Sequence, residues 1–504
     1  MSDTVLALLD AADPSAPALG APGRPDLSYA DLRALIGESG AALNGFGLGR
    51  GDAVAIVAPN GPEMAAAFLA VACAATAAPL NPAYRPDEFE FYLADLEARA
   101  VVVQAGDDSP VREVAGRLGL PLVELEPRPD GPAGAFDLRC DIRAAAARPG
   151  PAAPDDVALV LHTSGTTSRP KIVPLSQGNV CASARHIGRT LALDRHDRCL
   201  NIMPLFHIHG LIGAVLAGLA AGGAVVCAPG FNALRFFAWL EAARPTWYTA
   251  VPTMHQAILA RASRNAAALA GADLRFVRSS SASLPPSVMA ELEETFGAPV
   301  IESYGMTEAA HQMTSNPLPP RPRKPGSVGL PAGPDVAVMD EAGALLPPGA
   351  TGEIVIRGPN VTSGYARNPA ANADAYRDGW FRTGDQGLFD DDGYLRITGR
   401  LKEIINRGGE KISPREIDEV LLAHPDVAQA VAFAVPHDSL GEEVAAAVVL
   451  RPGATAAPRD IRAHVSARVA PFKTPRTVLI VEEIPKGPTG KLQRIGLAAK
   501  LGLT

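Results

Sequence analysis

The sequence predicts an α/β fold: a large N-terminal domain of layered α/β sheets plus a small β subdomain, then a small α+β C-terminal domain. Three observations predict it. Short apolar runs alternate with helix-period stretches through the first 330 residues, as in DAVAIVAP (52–59) followed by Glu63 to Ala72; this is the pattern of helices packed on largely parallel sheets. From about 331 to 399 the text changes to short strands and turns, GEIVIRGP and DDDGYLRITGR. Past Arg400 strands and helices alternate again in a stretch of ordinary domain size. The expected division is 1–399, a hinge at 400–402, and 403–504.

Each element follows from local pattern. The apolar run Val157 to Leu161 reads as a buried strand, and Ser176 caps a helix whose Val180, Ala184, Ile187 and Leu191 share one face. The stretch from Gly210 to Gly230 lacks charge over a length that could span a bilayer. Gly222-Gly223 divides it, so a helix followed by the strand AVVCA is the simpler reading. In SPREIDEVLL, Ser413 stands at an N-cap, Pro414 at the first helical position, and Glu416 where it closes a capping box. Strand-like VAQAVAFAV, a helix near Ile461 to Val469 and the strand TVLIVEEI complete the last domain.

The bulk numbers exclude several classes. A chain of 504 residues exceeds what one core fills. Its 47% hydrophobic and 20% charged residues are those of a globular enzyme. A net charge of -8 speaks against a nucleic-acid surface. The five cysteines lack CxxC spacing and sit among apolar residues, which points to free buried thiols in a reducing compartment. No basic segment precedes the short apolar run near the start, and the last residues LGLT are no SKL-type address. The expected location is cytoplasmic, without a membrane span.

Four segments carry chemistry. TSGTTSRPK places Thr163, Ser164, Gly165, Thr166, Thr167 and Lys171 in a donor-rich loop between a strand and a helix, suited to phosphate oxygens. It is no Walker loop, because the required spacing is absent. ESYGMTEAAH offers Tyr304 as a flat face for a purine, Thr307 as a hydroxyl for phosphate, and Glu308 as a carboxylate for Mg²⁺. Asp385 in WFRTGDQG suits ribose hydroxyls, with Arg400 fifteen residues later, and Lys491 lies on a Gly/Pro-flanked loop. Taken singly, each also fits an ordinary turn or a solvated side chain.

Together, in this order, the four segments resemble the adenylate-forming superfamily, which contains AMP-binding acyl-CoA synthetases, adenylation domains and luciferases. The resemblance covers essentially the whole chain. It implies ATP, Mg²⁺ and coenzyme A as cofactors and co-substrates, with a small carboxylic acid as the partner. Residues 163–171 would hold the β and γ phosphates. The adenine would lie between Tyr304, within Glu302, Ser303, Tyr304, Gly305 and Met306, and the segment Ser281, Ala282 and Ser283. Asp385 and Arg400 would take the ribose, Thr307 the α-phosphate and Glu308 the metal. Lys491 matches the lysine of the adenylation step, Lys402 the hinge of a mobile C-terminal domain, Gly408 and Gly409 the pantetheine channel, and His207 the residue that gates the acyl pocket. Ser168 and Ile172 replace two glycines of the common loop, so a stiffer loop is expected.

The wording LHTSGTTSRPK, WYTAVPTMHQ, RSSSASL and GMTEAAHQMTSNPLP is similar to the oxalate–CoA ligase branch. That resemblance implies an acid end where His207, His209, Ser281 and His311 could meet a second carboxylate. Some of these histidines equally fit hydrogen-bonded core positions. Ligases for medium-chain, aryl or other dicarboxylic acids share every ATP segment. An adenylation enzyme loading a carrier protein, and a nucleotide-binding protein without activity, remain as other classes.

Overall fold

The structure, a computed structural model, describes residues 3–163, 170–486 and 492–503. Ser164, Gly165, Thr166, Thr167, Ser168 and Lys491 lie outside the described residues, and with them the expectation of a stiffer loop.

Ala53–Val57, Thr76–Pro79, Ala100–Gln104 and Leu122–Pro127 pair in parallel, and Val157–His162 continues the sheet from Thr76–Pro79. Parallel strands are covered on both faces and therefore need unbroken apolar runs; Val54 to Val57 are all buried. Ile172–Ser176 closes this seven-stranded sheet in the antiparallel sense. The root of the 163–171 loop is thus a hairpin, and the helix Gln177–Thr190 starts only after the return strand, capped by Ser176 and Asn179.

A nine-stranded sheet carries Arg198–Asn201, Ala224–Cys227, Trp247–Ala250, Phe276–Ser279 and Val300–Met306 in parallel. The chain then reverses over Thr307–Ala309 into antiparallel His311–Ser315. One apolar cluster joins Leu159 of the first sheet to Val225 and Phe276 of the second, through residues of the helices Pro62–Ala74 and Gln177–Thr190. Every residue of Pro62–Ala74 except Glu63 is buried, as a helix apolar all round must be.

The charge-free run from Gly210 divides where its glycines predict, since Gly222 has φ +79 and the strand Ala224–Cys227 follows. Its helical half is unusual. His209–Leu216 is a π-helix, continued by the short α-helix Ala217–Ala220. Among the described residues no helix is long and apolar enough to cross a membrane. The five cysteines are free and buried.

Asp335–Met339, Gly352–Arg357, Tyr376–Arg377, Trp380–Phe389 and Leu395–Arg400 form the β subdomain. After a short 3₁₀ turn, Leu401–Glu403, the chain enters the smaller C-terminal domain, a five-stranded sheet with its own apolar core. Two local readings differ there. The helix Pro414–Leu422 begins as predicted, but Ser413 makes no side-chain cap; its hydroxyl donates to the Thr398 carbonyl, and Glu416 pairs with Lys473 at 2.7 Å instead of closing a box. The helix expected near Ile461 to Val469 spans Pro458–Ser466, because the Asp460 carboxylate accepts the Ala457 N–H and sets an earlier start. Gln256 of the helix Pro252–Ala262 donates to the Ala428 carbonyl and joins the two domains.

Candidate active site

The expected residues gather at and beyond the carboxyl ends of Trp247–Ala250, Phe276–Ser279 and Val300–Met306, the usual place for a ligand cleft on parallel sheets. Val300–Met306 supplies five of the expected residues, Glu302 to Met306, and the turn and strand after it three more, Thr307, Glu308 and His311. Gly305 is required where it stands: a Cβ there would fall 1.7 Å from the His311 carbonyl oxygen.

At one end of the cleft, Tyr304 donates its hydroxyl to Asp385 Oδ2 at 2.5 Å, and Arg400 Nε reaches Asp385 Oδ1 at 2.8 Å. Asp385 and Arg400 face each other in the antiparallel pair Trp380–Phe389 and Leu395–Arg400. The Asp385 charge raises the Arg400 pKa further above its ordinary value. The three residues from distant segments therefore meet as one neutralised cluster, and Tyr304 uses its hydroxyl as well as offering its ring. Glu302 is buried, accepts the Leu284 N–H at 2.9 Å, and is pushed up to about 7 by that burial. Ser303 is buried beside it; Ser281 is half-exposed at φ +73, with Ala282 and Ser283 exposed.

The Thr163 N–H donates to the Lys171 carbonyl at 2.9 Å, which closes the loop at its root. Lys171 Nζ stands 4.3 Å from the centre of the Tyr365 ring, and the Tyr365 hydroxyl donates to Glu308 Oε1 at 2.9 Å. Glu308 is buried just after Thr307, on the 3₁₀ turn. Burial raises its pKa, while Lys171 and Arg400 draw it back down. Among the described residues no three His, Cys, Asp or Glu side chains cluster as a metal cage. A single carboxylate suits Mg²⁺, which keeps waters and shares phosphate oxygens, and a bound cation would hold Glu308 ionised.

The other end is built of imidazoles, hydroxyls and a guanidinium. His209 is fully buried between Ser281 Oγ, 3.1 Å from its Nδ1, and Thr249 Oγ1, 2.6 Å from its Nε2. It is thus a saturated core histidine that orients Ser281. The His311 ring stacks on it, centroids 4.9 Å apart at 22°. His207 is half-buried, and its Nδ1 accepts the His209 N–H at 3.3 Å. Ala310 and His311 have positive φ, 47° and 104°, so the reversal turns His311 against the π-helix.

Sequence reasoning missed two residues here. Tyr365, 57 positions after Glu308, gives no sign of its partner. Arg278 did leave a signal: it is a lone basic residue inside the buried strand Phe276–Ser279. Its side chain is fully buried, with Nη1 on the Gly213 carbonyl at 3.2 Å and Nη2 on Gln312 Oε1 at 3.1 Å.

Of the expected C-terminal residues, Gly408, Gly409 and Lys402 are among the described residues. Gly408 and Gly409, φ +60 and +95, make the two-residue turn between Ile405–Arg407 and Glu410–Ile412, which demands φ > 0 at both positions. The turn is exposed and the Gly408 N–H donates to the Leu440 carbonyl. Lys402 is exposed on the 3₁₀ turn.

Known proteins resemble this chain over nearly its whole length. Residues 10–366 match the AMP-binding enzyme family, and residues 416–491 the C-terminal domain of the same enzymes. The chain is 46% identical to an oxalate–CoA ligase of Arabidopsis thaliana, covering 98% of each chain. It is 39% identical to a sulfoacetate–CoA ligase of Cupriavidus necator, over 94% of this chain and 92% of that one. The ATP-bound structure of MatB from Rhodopseudomonas palustris superposes with a TM-score of 0.87 at 32% identity, over 98% of this chain and 97% of that one. With both family models and nearly its whole length matched, the chain belongs to the AMP-binding enzyme family.

Proposed function

We propose that this protein is an ATP-dependent acid–CoA ligase that works through an acyl-adenylate and releases AMP and pyrophosphate, with oxalate or a similar small diacid as its acid. The observation that carries the reading is the hairpin 300–315. It sets Tyr304 on Asp385 and Arg400, Glu308 against Tyr365 near Lys171, and His311 on His209.

A carboxylate is a poor acyl donor. In the first step its oxygen attacks the α-phosphorus of ATP in line, a P–O bond forms, and the bond to pyrophosphate breaks. Such a reaction between anions depends on positioning and on charge neutralisation. In this reading the 163–171 loop with Lys171 binds the β and γ phosphates, Asp385 and Arg400 the ribose, Tyr304 and the 281–283 segment the adenine, and Thr307 the α-phosphate. Mg²⁺ bound at Glu308 would supply positive charge to the phosphates. Lys491 serves this first step. A thiol then displaces AMP, and because it needs the space Lys491 vacates, the C-terminal domain turns about Lys402 and brings the Gly408–Gly409 turn to the thiol channel.

The acid reading rests on the polar, crowded end formed by His207, His209, Ser281 and His311. A long chain would require an apolar pocket. The named acids of two relatives, oxalate and sulfoacetate, both carry two anionic groups.

The test is acid-dependent AMP release with and without CoA, using oxalate, malonate, succinate, benzoate and hexanoate. Oxalate should be preferred, with thioester formed only when CoA is present. Preference for hexanoate would remove the diacid reading. AMP release without a CoA thioester would favour a carrier-protein acceptor.

A further inference from the structure

Arg278 presents a physical problem that the nucleotide site does not solve. It is fully buried, and among the described residues its Nε has no hydrogen-bond partner and its side chain donates to the neutral oxygens of Gly213 and Gln312. No ion pair joins it to a carboxylate among the described residues, and neither 164–169 nor 487–491 contains an acid. Burial lowers its pKa only to about 10, so it stays charged near neutral pH. A buried charge without a partner is costly and calls for an opposite charge.

The geometry points to where that charge comes from. Gly213 lies in the π-helix His209–Leu216, a rare form found often at functional sites. A Cβ at Gly213 would fall 2.6 Å from His311 Nε2 and 3.0 Å from Arg278 Nη1. The imidazole and the guanidinium therefore crowd the same point, with no side chain between them. Gln312 is held in turn by Thr190 and Ala332, so the guanidinium cannot easily turn away.

We propose that Arg278 is the counter-charge for the distal carboxylate of the acid, standing behind His311 at the floor of the acid end and selecting acids with two anionic groups. It is a positioning and specificity residue, acting through His311 and the field it sets. This inference rests on the small-diacid reading above.

The test compares oxalate with oxamate, its monoamide, which keeps the reacting carboxylate and replaces the distal charge by a neutral group. Wild-type turnover comes first: no use of oxalate would remove the diacid reading and this inference with it. In R278M, the KM for oxalate should rise on the order of a hundredfold, while the KM for ATP and that for oxamate change little. The preference for oxalate over oxamate would then collapse, and R278K should restore part of it. A structural role would lower activity with both acids alike. If R278M does not fold, R278Q, which keeps an N–H for the Gly213 carbonyl but no charge, takes its place. An intact oxalate preference in either folded neutral variant, or equal losses with both acids, overturns the role of Arg278 and leaves the diacid reading standing.

Discussion

The nucleotide end and the acid end of the cleft differ in how they treat buried charge. At the nucleotide end Asp385 already has Arg400 and Tyr304, and Glu308 has the Tyr365 hydroxyl with Lys171 close by. At the acid end Arg278 has, among the described residues, only neutral oxygens, and His209 is held by two hydroxyls. A self-neutralised end is ready for any ATP complex and says nothing about the acid. An end with an unmatched positive charge is incomplete until an anion arrives, so selectivity belongs there.

The comparison predicts that damage at the first end is blind to the acid. Glu308→Gln removes a charge at nearly constant volume, and the amide oxygen can still accept from Tyr365. Pyrophosphate release should fall about a thousandfold, within the range for losing one group that stabilises transition-state charge, and by the same factor for oxalate and for any slower acid. Circular dichroism should show an intact fold. A folded variant with wild-type, Mg²⁺-dependent turnover would remove Glu308 from the metal.

Damage at the second end should select. His311→Ala leaves the Tyr304 cluster untouched, because the alternate residues of the hairpin face other partners. With oxalate, kcat/KM should drop on the order of a hundredfold, as when one partner of a buried charged contact is lost. The KM for ATP should stay within a few-fold of wild type, and bulkier monocarboxylic acids gain room. Steady-state kinetics with oxalate, malonate and hexanoate decide it; equal losses on all three would merge the two ends and end the comparison.

The difference also explains what could be read beforehand. Loop segments such as TSGTTSRPK and GMTE could be read only jointly, by their order along the chain, since each taken singly also fits an ordinary turn. The layering of strands and helices was open, because buried parallel strands require unbroken apolar runs such as AVAIV. Arg278 is one residue in a strand whose neighbours look like core, and its meaning depends on Gly213, 65 positions away. Glu308 and Tyr365 meet over 57 positions. The π-helix has no local signature, for HGLIGAVL reads as any apolar helix. Ser413 misled for a related reason: a hydroxyl at an N-cap position was taken up by Thr398, a tertiary partner local pattern cannot show.

The smallest effect falls on Glu302, and appears in stability. This carboxyl is buried on Val300–Met306, with one oxygen on the Leu284 N–H, and burial pushes it up to about 7 from an ordinary 4.5. Below about pH 4.5 it is protonated in both folded and unfolded chains and adds no pH dependence. Between about 4.5 and 7 the unfolded chain releases the proton while the folded one retains it, so stability falls as pH rises through that window. A tenfold difference in proton affinity between the folded and unfolded chains corresponds to about 1.4 kcal/mol, which in a chain of this size amounts to a few degrees in Tm. Glutamine imitates the protonated carboxyl and can still accept from Leu284. Glu302→Gln should therefore match wild type near pH 4.5 and melt a few degrees higher at pH 8. Thermal unfolding at the two pH values, without ATP, reads the difference directly. Parallel pH dependence in both proteins would mean that Glu302 stays ionised in the folded chain. Arg415 of the helix Pro414–Leu422, whose charge already draws it down, would then be its effective partner, a matched pair between strand Val300–Met306 and the C-terminal domain.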